Sequence, residues 1–151
     1  MLVALLKAPI FPERKPRAER KFGWLLSRFA PHTVFMHLGA GDCRLARLAA
    51  SYVERVYAVD PVGNLAGGAL PPGNLRLVRA DDLAVAVPAG SVDVVFADRP
   101  CLAHLKRVHA LLAPGGIFLS TDRDLRAPLA LAGFAKVRLP WFEPLVEAVK
   151  A

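Results

Sequence analysis

Two glycines and an acid are the residues of this chain whose types and spacing could bind a small ligand. Gly39-Ala40-Gly41 follows an apolar run, and Asp60 ends the next one. Glycine lets bare backbone approach a ligand, because no Cβ stands in the way. A carboxylate about 20 residues later can accept both hydroxyls of a ribose. The pattern predicts a nucleoside-containing ligand, either a nicotinamide dinucleotide or S-adenosylmethionine.

Arg44 decides against the dinucleotide. The dinucleotide fingerprint has a third glycine where this chain has Arg44, so that the following helix can pack closely on the strand. A long charged side chain opposes that packing. A nicotinamide-dependent oxidoreductase is therefore the weakest of the functions considered.

Other kinds of catalytic site have little support in the sequence. The chain has neither a Gly-x-Ser-x-Gly elbow nor a phosphate-binding loop. Two cysteines do not make a disulfide framework. The four histidines show no metal-ligand spacing with cysteine or acidic neighbours: His32, His37, His104 and His109. No metal site is predicted.

Short apolar runs alternate with helical patterns along the chain. Strands are predicted at residues 33–38, 56–59, 75–78, 92–97, 117–120, 134–139 and 145–149. Helices are predicted at 18–30, 43–52 and 102–112, the last stopped by Ala113-Pro-Gly-Gly116, and from Asp122 or Asp124 to about 132. The nearly continuous apolar runs are typical of a parallel sheet covered on both faces, hence a doubly wound α/β fold. Residues 61–73 contain too much glycine and proline for a full helix.

Charge is concentrated at the beginning of the chain. The net charge is +7, and residues 1–28 contain seven basic and two acidic side chains, a balance of +5. We therefore divide the chain into a basic N-terminal segment with one helix, residues 1–30, and a domain at 31–151. The basic segment either binds the phosphates of a nucleic acid or is a solvated amphipathic helix.

Composition and hydropathy give the compartment. No apolar run is long enough to span a bilayer, and the opening Met1-Leu-Val-Ala-Leu-Leu6 is too short for a signal-peptide core. We expect a cytoplasmic protein without a membrane partner. The chain has no glutamine and many prolines, which favours a thermophile, although a GC-rich genome gives the same bias.

Four stretches carry a resemblance to a known family across residues 30–150. They are "HLGAGDC", "VYAVDP", "VRADDLAVAVPAGSVDVVFAD" and "VHALLAPGGIFLSTD". With these the chain resembles the class I S-adenosylmethionine-dependent methyltransferases. The resemblance implies a Rossmann-like, mostly parallel seven-stranded sheet with a reversed last strand, and S-adenosylmethionine as cofactor.

The resemblance also implies a cofactor site. The methionine part would face the glycine turn (residues 39–41) and His37, which stands where the family usually has an acid. Asp60 would bind the ribose, and Asp81 with the backbone of Asp82 the adenine amino group. The resulting cofactor-binding residues are His37, Gly39, Ala40, Gly41, Asp60, Asp81 and Asp82.

Asp98-Arg-Pro-Cys101 follows the fourth predicted strand, where the fold borders the transferable methyl group. Asp98 is the candidate catalytic residue. The segment also resembles the Asp-x-Pro-Cys loop of RNA cytosine-5 methyltransferases, but Asp122 replaces the second cysteine of those enzymes. We therefore interpret Cys101 as a small buried structural residue and not as a nucleophile.

Two functions follow from these patterns. The first is an S-adenosylmethionine-dependent methyltransferase whose methyl acceptor is unknown. The alternative is a catalytically silent methyltransferase-like module that serves as a scaffold for a protein or a nucleic acid. The chain has no insert that could form a substrate lid, so acceptor recognition falls to the N-terminal segment, the 61–73 loop or the second subunit of a homodimer.

Overall fold

A computed structural model describes residues 17–61 and 70–151. The first 16 residues and most of the predicted 61–73 loop lie outside the described part. The strands are β1 Val34–Gly41, β2 Arg55–Pro61, β3 Leu75–Val78, β4 Val92–Ala97, β5 Leu112–Ser120, β6 Lys136–Arg138 and β7 Val146–Val149. The helices are α1 Arg17–Leu26, α2 Arg44–Ala50, α3 Leu83–Ala86, α4 Leu105–Leu111 and α5 Arg126–Leu131.

The seven strands form one sheet in the order β3-β2-β1-β4-β5-β7-β6. The pairs from β3 to β5 are parallel, whereas β7 runs antiparallel to both β5 and β6. A dinucleotide-binding sheet has the order 3-2-1-4-5-6 without this reversal. The predicted doubly wound fold with a reversed last strand is confirmed.

Two apolar layers cover the sheet because its strands are apolar on both faces. On β1, Phe35 packs in one layer with α1 and α2, and Met36 packs in the other with α3, α4 and α5. Since side chains alternate along a strand, His37 shares the face of Phe35. The alternation thus places His37 beneath α1.

Helix α1 is shorter than the predicted helix at 18–30. It ends at Leu26, and Phe29 lies in the following turn, where its ring is 5.0 Å from that of Phe35. Leu25 is fully buried, whereas Leu26 is 43% exposed. Phe29 thus packs on Phe35 of β1 from the turn that follows the helix.

Arg28 ties the end of α1 to the last two strands. Its guanidinium donates to Glu143 at 2.9 Å and to Glu147 at 2.8 and 3.0 Å. Arg138 of β6 donates to Glu147 at 2.7 Å. The hydrogen bond to Glu143 is the main cause that raises the pKa of Arg28. We call these four residues the Arg28 network.

The stop signal after α4 has a different role from the one predicted. The helix ends at Leu111 as expected, but β5 begins at once, at Leu112, and contains the Pro-Gly-Gly residues. Gly115 N donates to Lys150 O at 2.8 Å, and Lys150 N donates to Gly116 O at 3.0 Å. These cross-strand bonds continue the pairing of β5 with the chain beyond β7, which short-range turn signals do not predict.

Candidate functional site

A cleft of about 330 Å³ lies at the carboxyl ends of β1 and β4, with α1 as its outer wall. It brings together five of the eight predicted site residues: His37, Gly39, Ala40, Gly41 and Asp98. The remaining lining residues come from α1 and from the start of α2. This is the edge where open parallel sheets bind their ligands.

The glycine turn leaves open space above the backbone. Gly39 and Gly41 have φ angles of +67° and +56°, and no atom of the described residues, other than their chain neighbours, lies within 4 Å of a Cβ added to either. Cys43, two residues after the turn, is also left-handed, with φ of 64°, and its side chain is buried. The backbone at Cys43 therefore has a geometry that usually favours glycine.

His37 is buried and neutral beside this turn. Its side chain lies between the rings of Phe35 and Phe96, and the residue is only 5% exposed. Burial lowers its pKa to about 4. Its Nδ1 atom is buried and has no hydrogen-bond partner among the described residues. Buried polar atoms are nearly always paired, so this nitrogen is an unmet bonding position in the cleft wall.

Asp98 is held by cations and hydroxyls. The Lys21 ammonium donates to Oδ2, Arg17 lies 3.9 Å from the same oxygen, and the Thr121 hydroxyl donates to Oδ1 at 2.9 Å. Burial raises the pKa of Asp98, but the hydrogen bonds from Lys21 and Thr121 outweigh it, and the pKa lies below 3.8. Asp98 is therefore an ionised carboxylate at neutral pH and a poor proton acceptor.

Sequence analysis missed Lys21, which is buried under α1 with Nζ 5.8 Å from the centre of the Phe96 ring. A signal was present in its spacing. Lys21 precedes the buried Leu25 by four residues, so both lie on the face that α1 turns toward the sheet. A charged residue on that face needs a partner, and Asp98 supplies it.

The predicted ribose and adenine residues stand beside this cleft and do not line it. Asp60, with φ of 50°, follows β2 next to the glycine turn, and its Oδ1 accepts from Ala80 N at 2.8 Å. Asp81 and Asp82 are exposed at the end of β3. The Asp82 N–H donates to Arg79 O at 3.0 Å within a 3-10 turn, so this backbone group is already paired.

Two further predictions can be compared with the structure. Cys101 is exposed, so the expectation that it is buried is wrong. It precedes a 3-10 turn, Leu102–His104, and the first buried side chain of this segment is that of Leu105. Arg44 is exposed and donates to Glu19 at 2.6 Å, so it links α2 to α1. Its side chain faces away from the strand. In a dinucleotide-binding protein, a glycine at this position allows the helix to approach that strand closely.

Within residues 17–61 and 70–151, no three His, Cys, Asp or Glu side chains lie close enough to share a metal ion. No helix in those ranges has the length and hydropathy of a membrane span.

Similar folds occur among solved structures. The tRNA (m1A58) methyltransferase TrmI from Aquifex aeolicus matches with a TM-score of 0.67 at 13% identity, over 100% of this chain and 76% of that one. An S-adenosylmethionine-dependent methyltransferase from Mesorhizobium loti matches with a TM-score of 0.65 at 17% identity, over 88% of this chain and 98% of that one. A phosphoethanolamine N-methyltransferase 2 from Haemonchus contortus, in complex with S-adenosylhomocysteine, matches with a TM-score of 0.60 at 20% identity, over 79% of this chain and 38% of that one. At these low sequence identities, the matches show a similarity of fold alone.

The family is shown by the sequence itself. No curated protein matches the chain. The sequence model of the family described as "Methyltransferase domain" matches residues 36–120, which is more than half of the chain and runs from within β1 to the end of β5. The chain therefore belongs to the methyltransferase domain family.

Proposed function

We propose that this protein binds S-adenosylmethionine at the carboxyl ends of β1 to β3 and transfers its methyl group to an acceptor held beyond Asp98. One observation carries the proposal: the cleft above the open glycine turn is lined by His37, whose buried Nδ1 has no hydrogen-bond partner among the described residues. The presence of S-adenosylhomocysteine in the similar Haemonchus contortus enzyme supports the choice of cofactor.

The residues of the cleft fit the methionine part of this cofactor. A neutral imidazole has one nitrogen that can accept from an ammonium group, and His37 is neutral because its pKa is about 4. The carboxylate would lie toward Arg17, because Lys21 is already the ion-pair partner of Asp98. The glycine turn leaves room for the chain of the ligand to pass over its backbone.

Asp60 fits the ribose. One of its oxygens, Oδ1, is held by Ala80 N, which fixes the carboxylate at the end of β2. The other oxygen, Oδ2, is the one that would accept from a ribose hydroxyl. Asp81 is the candidate for the adenine amino group, because its exposed carboxylate follows the neighbouring strand, β3.

S-adenosylmethionine, when bound, would supply an electrophilic methyl group to the lone pair of the acceptor. The protein's part is orientation and exclusion of water. Asp98 would accept a hydrogen bond from the acceptor and so aim its lone pair. Because the pKa of Asp98 is lowered, this carboxylate would stay ionised and would not take a proton from the acceptor.

A silent module is the second candidate, and the Lys21–Asp98 ion pair favours it. The pair neutralises the carboxylate nearest to the expected methyl position. If Lys21 kept this place when the ligand was bound, Asp98 would have no free oxygen for an acceptor except the one shared with Thr121.

Calorimetric titration with S-adenosylhomocysteine, S-adenosylmethionine and NAD separates these functions. We expect heat with the first two ligands and none with NAD. Asp60→Ala should weaken S-adenosylhomocysteine binding by roughly 1–3 kcal/mol, because ribose hydroxyls lose their acceptor.

The matched control is Glu54→Ala, which removes one exposed carboxylate at the opposite edge of the sheet and should leave affinity unchanged. Absence of heat at millimolar ligand with the folded parent protein would support the silent module. Equal losses in both variants would contradict a ribose contact at Asp60.

A further inference from the structure

A second cleft, of about 300 Å³, adjoins the first on the side away from Asp60. It lies between α1 and the segment that joins β6 to β7, residues 139–145, which we call the 139–145 loop. Its walls include Arg17, Arg20 and Trp24 of α1 and Pro144 of the loop, and its polar floor is Asp98 and Thr121. Since Asp98 lines both clefts, they meet at this carboxylate.

The second cleft favours an anion at its outer wall. Its lining contains three cations, Arg17, Arg20 and Lys21, and a single anion, Asp98. Lys21 neutralises Asp98 by a direct ion pair. The exposed guanidinium groups of Arg17 and Arg20 therefore remain as a net charge of about +2 on the rim, with geometry suited to phosphate.

Two large aromatic side chains are exposed on the same loop. Trp141 is 90% and Phe142 is 93% exposed, although aromatic side chains usually contribute most when they are buried. The base of the loop is fixed, because Glu143 is bound by Arg28 and Leu145 is fully buried. A held loop that displays adjacent bare rings marks a contact surface for a partner.

We propose that single-stranded nucleic acid binds across this rim and that the methyl acceptor is one of its bases. Phosphates lie against Arg17 and Arg20, and bases stack on Trp141 and Phe142, the combination that single-strand binding surfaces use. A base between them enters the second cleft, where Asp98 and Thr121 face it. The identity of the acceptor rests on the proposed function, whereas binding of the strand does not.

The chemistry of the cleft floor selects a nucleic acid over an anionic membrane. Aromatic and basic side chains also occur together on membrane-binding surfaces. Here, however, the cleft floor contains the Asp98 carboxylate, a hydrogen-bond acceptor that offers no hydrogen to an anionic headgroup. For a base, the same carboxylate is an acceptor for an amino or imino hydrogen.

The test is binding of a fluorescent single-stranded RNA of about 16 nucleotides to the full chain without cofactor, followed by anisotropy. Trp141→Ala with Phe142→Ala should weaken binding roughly tenfold or more, because base stacking is lost. Arg17→Glu with Arg20→Glu should reduce the slope of log K against log salt by about 1.4, at about 0.7 for each of two phosphates.

Two control variants carry substitutions of the same two kinds at positions away from the rim. Leu131→Ala with Val85→Ala removes two exposed apolar side chains, and Arg55→Glu with Lys136→Glu reverses two exposed charges at the opposite edge of the sheet. Both should bind the RNA like the parent. Thermal unfolding of each variant confirms that it is folded.

The proposal is overturned if the aromatic variant binds like its control, or if the parent prefers vesicles of phosphatidylglycerol and phosphatidylcholine to RNA. RNA binding together with no heat from S-adenosylhomocysteine would retain the nucleic-acid surface and reject the methyltransferase. Cofactor binding together with no RNA binding would retain the proposed methyltransferase and reject the nucleic-acid surface.

Discussion

Replacing Arg28 with alanine should lower the free energy of unfolding by about 3–5 kcal/mol. The side chain is only 10% exposed, and Glu147, which it contacts, is 5% exposed. Removing the guanidinium leaves the Glu147 carboxylate in the interior with Arg138 as its remaining partner in the Arg28 network. Chemical denaturation at pH 7 measures the loss.

Two further variants test this cause. Arg28→Met combined with Glu147→Leu should recover much of the stability, because apolar side chains replace both partners of the buried pair. Arg44→Ala is the matched control, since it breaks the exposed pair with Glu19 and should cost less than about 1 kcal/mol. A loss in Arg28→Ala no larger than that in Arg44→Ala would show that the network does not stabilise the fold.

The second large effect is a loss of stability on mild acidification, caused by His37. Its pKa is about 4 in the folded protein and 6.5 in the unfolded chain, so between these values the unfolded state binds one more proton. The contribution of His37 to stability is therefore constant well above pH 6.5 and falls as the pH is lowered toward 4. The difference between the two pKa values corresponds to roughly 3 kcal/mol.

Urea denaturation at several pH values between 7 and 4.5 gives this slope. His37→Gln should flatten it, and the exposed His32→Gln should leave it as in the parent. The pH range between 6.5 and 5.5 reports His37 best, because the pKa values of Asp98 and Glu143 are lowered from 3.8 and 4.5 and their contributions are lost mainly below about pH 5.5. A full slope in His37→Gln would assign the acid sensitivity to another group.

The sheet and the glycine turn could be predicted because their signals are local. Strands at 75–78 and 92–97 were predicted with their observed limits, since continuous apolar runs bounded by turn residues have few alternatives. The reversed β7 came from the family resemblance. Nothing in residues 145–149 alone gives a strand its direction.

The charged wall of the site could not be predicted because it depends on long-range contacts. Lys21 and Asp98 are 77 residues apart, and Arg28 and Glu147 are 119 apart. Helical periodicity placed Leu25 on the buried face but gave no reason to look for a lysine beside it. For Cys101, by contrast, the prediction relied on a local signal and was wrong, because a small apolar residue near a helix start was expected to be buried. A 3-10 turn precedes the helix, and the first buried side chain of the segment is that of Leu105.

The attachment of α1 has a kinetic consequence. Among the described residues, ion pairs hold this helix along its length: Arg17 with Asp98 and Glu19 with Arg44 near its start, Lys21 with Asp98 at its middle, and the Arg28 network after its end. Dissolved ions screen the exposed pairs near the start more than the less exposed pairs of Lys21 and Arg28. The wall of the cleft should therefore loosen from its N-terminal end as salt rises, and small ligands should enter faster at cellular ionic strength than in dilute buffer.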